Sequence, residues 1–568
     1  MVDLAARYVR VSLSPFRLVA AAAALALCFF VVYPLARAVF GLITGSQPGG
    51  GVVSSVTSAE TLTALWHTAL LVAAGGGIAL LVGSVFAWLN ERTDARIGWA
   101  AEILPLISMF VPSLAGAIGW VFLGDQQVGL LNTTLRGVLS RLGIDLATGP
   151  INIYSWYGLT FMYAVYLTPF AYLTIATGLQ SLDPALEEAS KVGGAGVLRT
   201  LRKVTLPSLK PAMGGAVLLV VTMGFALFSI PVIIGTRADI SVLPVLIVQD
   251  VTQAYPPNVT SALGRSGLLL AIVLVAWLFQ RRLVGTDQAY ATIGGKPSRT
   301  SIVPLRAWRL PARVLMVGYL LIASVLPFLG LVLVSLQRFW SVTVNWDALT
   351  TANYRTLVGR GAVQQGLQDS LILGALCATA VVVFAVLVTH LVELRPTLAT
   401  RVADGILKAP AAITHIVFAI ALIIAFGGPP TNWTGTPVIL IAAYMIMYFP
   451  QASFYTAASM QQIGRPLVEA SAVSGAHDAR TVRKVLTPLM APGLIAAWAL
   501  IFVLMFGDVT ASAMLGSTST PVVGFVMLDE WQSGTFPAIA ALGVVMTVVS
   551  TVVVLAALRI RDRFRLDR

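Results

Sequence analysis

Charge is scarce in this sequence. Only 11% of its 568 residues are Asp, Glu, Lys or Arg, while 57% are hydrophobic. A water-soluble chain carries roughly a quarter charged residues, so a soluble globular fold is excluded. The apolar residues fall in blocks of ~20, the length a helix needs to cross the hydrocarbon layer. Mean hydropathy is +0.87. Cysteine is also rare. Cys28 and Cys377 are the only two, both inside apolar blocks, which excludes a disulfide framework and leaves them as small buried hydrophobes. The four histidines are too dispersed for zinc-ligand spacing, and no metal site is expected. A phosphate-binding loop, G-x-x-x-x-G-K-[ST], is missing too. The nearest match, at Gly295-Lys296, has Tyr290 for the first glycine and Pro297 for the hydroxyl. With no acid–base constellation outside the membrane, the chain is expected to be no enzyme and to hold no cofactor of its own.

What is present is a polytopic pattern. Apolar blocks occur near 18–42, 64–89, 102–123, 156–179, 212–235 and 263–280, then near 312–335, 369–392, 406–426, 436–459, 491–515 and 535–558. Pro112 and Gly116 interrupt the third. The first follows Arg7, Arg10 and Arg17, as a signal peptide would, but is too long for one and reads as a retained span. The fold class is therefore all-α and polytopic, with about twelve transmembrane helices in two six-helix halves. The formal net charge of +13 would suggest nucleic acid on a soluble protein. Here the basic residues mainly mark alternate loops: Arg92 and Arg96, then Lys191, Arg199, Arg202, Lys203 and Lys210, then Arg281 to Arg313, then Arg559 to Arg568. Arg136, Arg141, Arg237, Arg265, Arg338, Arg355 and Arg360 are exceptions in or beside longer loops on the expected outer side, where the rule is weaker. Loops 43–61, 427–435 and 516–534 have none. Basic loops stay cytoplasmic, which places both termini there and leaves anionic lipid as the secondary partner. No nucleic-acid partner is expected.

One charged segment is written twice. EEASKVGGAGVLRTLRKVTLP (Glu187–Pro207) recurs as VEASAVSGAHDARTVRKVLTP (Val468–Pro488) at a constant offset, 469 − 188 = 281. Each copy follows the fourth span of its half and precedes the fifth. The division is 1–282, a Gly/Ser/Thr/Pro-rich basic linker at 283–310, and 311–568. Six spans per half give both halves one orientation, which predicts a pseudo-two-fold axis along the membrane normal with a pathway between the halves.

The physics of the segment (183–211 and 464–492) is that of a cytoplasmic knob. Asp183 and Pro184 start a helix as N-cap and first-turn proline. Gly193-Gly194 stop it, as Gly475 does in the second copy. A second helix from about Val197 to Leu206 has Val197, Leu198, Leu201 and Val204 on one face and Arg199, Arg202 and Lys203 on others, and Pro207 is expected to end it. An amphipathic loop on the membrane surface would explain one copy. It would not require Glu-Ala-Ser and Gly-Ala twice, whereas a docking knob for a symmetric partner would.

Both segments resemble the EAA loop of ABC importer permeases: Glu-Ala-Ala, three residues, Gly, then a spaced Ile and Leu-Pro. The first copy gives Glu188-Ala189-Ser190, Gly194, Val204 and Leu206-Pro207. The second gives Glu469-Ala470-Ser471, Gly475, Val485 and Thr487-Pro488. Ser stands for the second Ala in both, and Thr487 for Leu. The resemblance runs over nearly the whole chain and is closest to the fused permeases of the ferric iron group, which are similar to those for thiamine, phosphonates and polyamines. NYRTL (Asn353–Leu357), YPPNVTSALGRSGLL (Tyr255–Leu269) and the stretch Phe506–Leu542 look like that group.

The resemblance implies a type I importer permease fold and a bacterial inner-membrane location. It also implies two copies of a cytoplasmic ATPase, which would bind the ATP, and an extracytoplasmic solute-binding protein that would deliver the solute. Glu188, Ala189, Gly194, Arg199 and Pro207, with Glu469, Ala470, Gly475, Arg480 and Pro488, would couple to the ATPases. Within the spans, Asp508 is a charge in hydrocarbon and a functional candidate by default, and it matches the acidic position of the related ELSAS pattern. Its repeat-mate is Leu227 (508 − 281). Thr510, Ser512, Ser229 and His415 join it as pathway candidates. The plainer reading makes Asp508 a carboxylate pairing with a neighbouring helix and His415 a hydrogen-bonded packing residue. Tyr163, Tyr166, Tyr444 and Tyr448 suit a pore lining, an aromatic belt or packing. The rival class is an ion-driven secondary transporter with two parallel halves, which has no use for paired EAA loops.

Overall fold

The computed structural model describes residues 15–44, 51–97, 111–284, 302–394, 397–461, 463 and 465–566. Most of the expected linker, the residues Arg7 and Arg10, and the start of the third apolar block lie outside the described residues. Among those described there are helices and two isolated β-bridges. In chain order the first set is α1 (Pro15–Thr44), α2 (Ala59–Arg92), α3 (Ser113–Gly124), α4 (Trp156–Ser181), α5 (Pro184–Val192), α6 (Lys210–Ala226), α7 (Ser229–Ile233), α8 (Leu243–Thr252) and α9 (Val259–Val284). The second set begins with α10 (Arg306–Ser335), α11 (Gly361–Leu394), α12 (Leu398–Lys408), α13 (His415–Phe426), α14 (Pro437–Gln461) and α15 (Arg465–Val473). It ends with α16 (Ala479–Phe506), α17 (Thr510–Leu515), α18 (Val523–Gln532) and α19 (Phe536–Leu566).

The repeat is visible element by element. Pro169 lies inside α4 and Pro450 inside α14, again 281 apart (450 − 169). The spans α6 and α16 each break and restart as a short helix, α7 or α17, followed by a ten-residue helix, α8 or α18.

The all-α polytopic expectation holds, and the start of the third apolar block lies outside the residues over which spans can be counted. Among the described residues ten helices are long and apolar enough to cross a membrane, and the eleventh candidate is a pair bent by 110° between Leu398–Ala411 and His415–Phe426. The count turns on the third block of each half. α3 and α13 are each 12 residues long, about 18 Å at 1.5 Å per residue, against roughly 30 Å of hydrocarbon. Both start where the backbone is extended, at Pro112 and at Thr414. Pro112 and Pro410 supply the interruption, since proline lacks the N–H a continuing helix needs.

Packing divides the chain differently from the repeat. One compact unit comprises Met1–Thr44, Gln365–Val523 and Val549–Arg568; the other comprises Gly45–Gln364 and Gly524–Val548. The first helix of each sequence half therefore packs with the helices of the other half. In the first unit α1 lies on α12 and α13, with Phe30 and Tyr33 against Phe426. In the second, α10 packs on α3 so closely that a Cβ on Gly119 would stand 2.4 Å from the Pro327 carbonyl oxygen. Glycine also permits the approach of α2 to α4, where a Cβ on Gly75 would lie 2.5 Å from Tyr163 Cβ. Small residues at such contacts are the usual means of close helix packing in lipid, where no hydrophobic drive exists between helices.

Candidate functional site

The two repeated loops have the same local geometry. Asp183 caps α5 by accepting from Ala185 N–H at 2.9 Å, as expected. Gly194 and Gly475 turn the chain at φ +78° and +76°, a left-handed conformation that costs other L-residues roughly 1–2 kcal/mol. After the turn, Ser190 Oγ meets Thr200 Oγ1 at 2.9 Å, and Ser471 Oγ meets Thr481 Oγ1 at 2.9 Å. The serine that departs from the Glu-Ala-Ala pattern thus pins the two short helices of each knob together. A matched threonine ten residues on, in both copies, is the sequence signal for that bond.

Pro207 does not end the second helix. The chain widens into a π turn at Leu201–Thr205 and again at Val482–Leu486, where the N–H groups of Leu206 and Thr487 reach back five residues to Leu201 and Val482. The wider turn makes room for a proline ring, which in a regular helix clashes with the carbonyl four residues back. In the second copy the helix then runs unbroken through Pro488 from the knob into the membrane, 28 residues from Ala479 to Phe506.

Glu188, Ala189, Arg199, Glu469, Ala470 and Arg480 are exposed, as are Gly194, Gly475 and Pro488, while Pro207 is partly covered. Among the described residues neither glutamate makes an intrachain ion pair. Half of the expected apolar face is bare: Val197 is 43% and Leu198 67% exposed, while Leu201 and Val204 are partly covered. Val192 and its repeat-mate Val473 are 89% and 90% exposed, and Leu186 and its mate Leu467 are 48% and 51% exposed. Aliphatic side chains are thus uncovered at the same places in both copies.

The copies differ in how they are fastened. Glu187 is buried, accepts from Thr205 Oγ1 at 2.8 Å and has Oε2 3.1 Å from Arg92 Nε. Arg92 also donates to the carbonyls of Leu179 at 2.7 Å and Leu182 at 3.4 Å. The returning linker joins the same node: Val303 N–H donates to the Arg92 carbonyl at 2.8 Å. In the second copy Leu486 replaces Thr205 (205 + 281) and Val468 replaces Glu187 (187 + 281). Leu486 packs with Met460, Val482 and Met490. The Arg92–Glu187 pair, 95 residues apart, was not readable from the sequence.

The pathway candidates separate into two groups. Asp508 is buried beside the break between α16 and α17, with Ala511 N–H at 3.0 Å and Ser512 N–H at 3.3 Å on Oδ2. Ser512 Oγ donates to the Asp508 carbonyl at 2.6 Å, and Thr510 begins α17 beside it. Tyr448 OH is 3.3 Å and His415 Nδ1 3.9 Å from Oδ1. Ser229 lies in the other packing unit, where its hydroxyl meets that of Ser113 at 2.7 Å. Cys377 is buried and Cys28 partly so. Among the described residues no group of three His, Cys, Asp or Glu side chains could hold a metal.

A family model described as binding-protein-dependent transport system inner membrane component matches residues 96–338 and 382–566. The chain belongs to that family. It is a multi-pass inner-membrane permease of ABC import, with the family domain present twice in one fused chain, and permeases of this kind work with ATPase and binding-protein partners. The permease is 22% identical over 535 residues to the ferric transport system permease protein of Actinobacillus pleuropneumoniae, covering 93% of this chain and 75% of that one. It is 23% identical to a putative ferric transport system permease protein of Haemophilus influenzae, covering 87% and 77%. It is 24% identical to a probable ABC transporter permease protein of Sinorhizobium fredii, covering 90% and 89%.

Proposed function

We propose that this permease forms the membrane path of a ferric iron importer, closed and opened by two copies of a cytoplasmic ATPase that dock on the two knobs. The observation that carries the docking role is the paired surface itself: Glu188 with bare Leu186 and Val192, and Glu469 with bare Leu467 and Val473. A partner cleft would cover these aliphatic groups and pair the two carboxylates, with Arg199 and Arg480 offering the opposite charge beside them. Ala189, Ala470, Gly194 and Gly475 keep the knob narrow. Pro207 and Pro488 sit where it joins a span. Two knobs of one geometry suit two copies of one partner, which supplies the ATP chemistry this chain lacks. A solute-binding protein delivers the cargo on the opposite side. Both termini are cytoplasmic, on the side of the basic loops. Asp508, Thr510, Ser512, His415 and Ser229 line the path. Ferric iron rests on relatives named for it that align over most of the chain.

The test is uptake by vesicles holding this permease with its ATPase and binding protein. ATP-driven uptake of radioactive iron is expected, lost in the Glu188→Ala, Glu469→Ala double variant along with the co-purifying ATPase. Uptake of thiamine, a phosphonate or spermidine in place of iron refutes the cargo. Undiminished transport by the double variant, or transport on an ion gradient without ATP, refutes the coupling role.

A further inference from the structure

At the break between α16 and α17 the second half carries a set of donor atoms that the first half lacks. Asp508 Oδ1 faces the Tyr448 hydroxyl at 3.3 Å and His415 Nδ1 at 3.9 Å. The Tyr448 hydroxyl is shared with the Leu504 carbonyl at 3.2 Å. The imidazole stands edge-on to the Tyr448 ring, with centroids 5.2 Å apart, and the Tyr444 ring lies 6.0 Å from that of Tyr448. Tyr444 OH reaches Ser512 Oγ at 3.4 Å.

The first half shows what the break needs for packing alone. Tyr163 stands for Tyr444 (444 − 281), Leu167 for Tyr448 (448 − 281) and Leu227 for Asp508 (508 − 281). Ser113 opens α3 where His415 opens α13 (415 − 113 = 302, the shift between these two matched helices). There the break between α6 and α7 is fastened by one hydroxyl pair, Ser113 and Ser229. A carboxylate, an imidazole and a second phenol are therefore not required to hold such a break.

A buried carboxylate among spans is costly without a counter-charge. Among the described residues no lysine or arginine pairs with Asp508. Two amide N–H groups on Oδ2 offset part of its charge, and Oδ1 is left toward Tyr448 and His415. The donors are hard oxygens and an imidazole nitrogen, the set that suits iron, and tyrosinate is a known iron ligand in proteins. Donors about 2.1 Å from a metal and at right angles to one another stand ~3 Å apart. The gaps of 3.3 and 3.9 Å come within an ångström of that.

We propose that His415, Tyr448 and Asp508 form a transient coordination site for the ferric ion, with Tyr444 next in reach. The proposal rests on the iron reading above. A ferric ion carrying a hydroxide ligand takes the Tyr448 oxygen in its place; the phenol proton passes to the hydroxide, which leaves as water. Iron stays ferric and no electron moves. Three protein donors leave the rest of the coordination sphere open, so the ion is held and released.

The full-length chain in lipid nanodiscs, titrated with ferric nitrilotriacetate, tests it. A visible phenolate-to-iron charge-transfer band should rise and saturate near one iron per chain, and a trivalent ion without such a band should compete it away. Tyr448→Phe should abolish the band and Asp508→Asn should weaken binding by about 10- to 100-fold, while Tyr163→Phe should leave it unchanged. No band, or one that survives Tyr448→Phe, overturns the site. Iron uptake by the complete transporter at wild-type rate with both Tyr448→Phe and Asp508→Asn also overturns it and leaves the iron reading standing. Uptake of another cargo and no iron overturns both.

Discussion

Removing Glu187 should show how the first knob is held. Its side chain is 8% exposed and that of Arg92 3%, so solvent does little to weaken the pair. Breaking a buried ion pair by deleting one partner costs about 3–5 kcal/mol, because the other charge is left uncompensated. Glu187→Ala should cost that much, and Arg92→Ala should cost a similar amount. The second knob indicates the apolar alternative. Replacing the set together, by Glu187→Val, Arg92→Met and Thr205→Leu, should restore stability to within about 1 kcal/mol of wild type, since well-packed apolar groups match buried pairs. Denaturant unfolding of the purified chain in mixed micelles measures each. A single-variant cost below about 1 kcal/mol, or a triple variant as weak as Glu187→Ala, would refute the reasoning that an ionic node secures this loop.

Two further outcomes follow from backbone geometry. Gly475→Ala meets no atom within 4 Å but must hold φ +76°, a strain of about 1–2 kcal/mol; the chain should insert normally while ATP-driven transport falls by roughly 5- to 30-fold, and wild-type transport would show that the turn is not needed in that conformation. In α3, Gly119→Ala places a Cβ 2.4 Å from a backbone oxygen, whereas Gly116→Ala meets only Val111 Cγ1 at 3.6 Å. The first should cost about 1–3 kcal/mol and the second almost nothing, as thermal half-lives in detergent would report; equal half-lives would contradict the close contact with Pro327.

Much of the repeated knob's geometry was legible in the sequence because its rules are local. Asp183, Pro184, Gly194 and Gly475 act within a few residues of themselves, and their placement followed from chain stereochemistry. Spans were legible as lengths of apolar chain and Pro112 as a break in the third block, whereas the matching break at Pro410 was not read. Which span lies beside which was not legible. An apolar run carries no address, so the packing of α1 with α12 and α13 had no sequence signal. The same limit hid the partner of Arg92, which read as a topology marker, and left Tyr448 open between pore lining, belt and packing. Pro207 misled for a different reason: a proline ends a regular helix, but a π turn upstream opens the space it needs.

The unbroken helix α16 makes chain length a functional quantity. Its 28 residues span about 42 Å at 1.5 Å each, one end in the knob and the other next to Asp508. A rod of that length, tilted by about 10° around its centre, shifts each tip by roughly 3–4 Å, comparable with the gaps among Asp508, Tyr448 and His415. Its faces are also set in phase. Each residue added or removed within Val482–Leu486 turns everything beyond by about 100°, so the knob and the carboxylate would still be joined but would face different neighbours. A side chain exchanged along such a shaft leaves this phase as it was; a residue added or lost resets it.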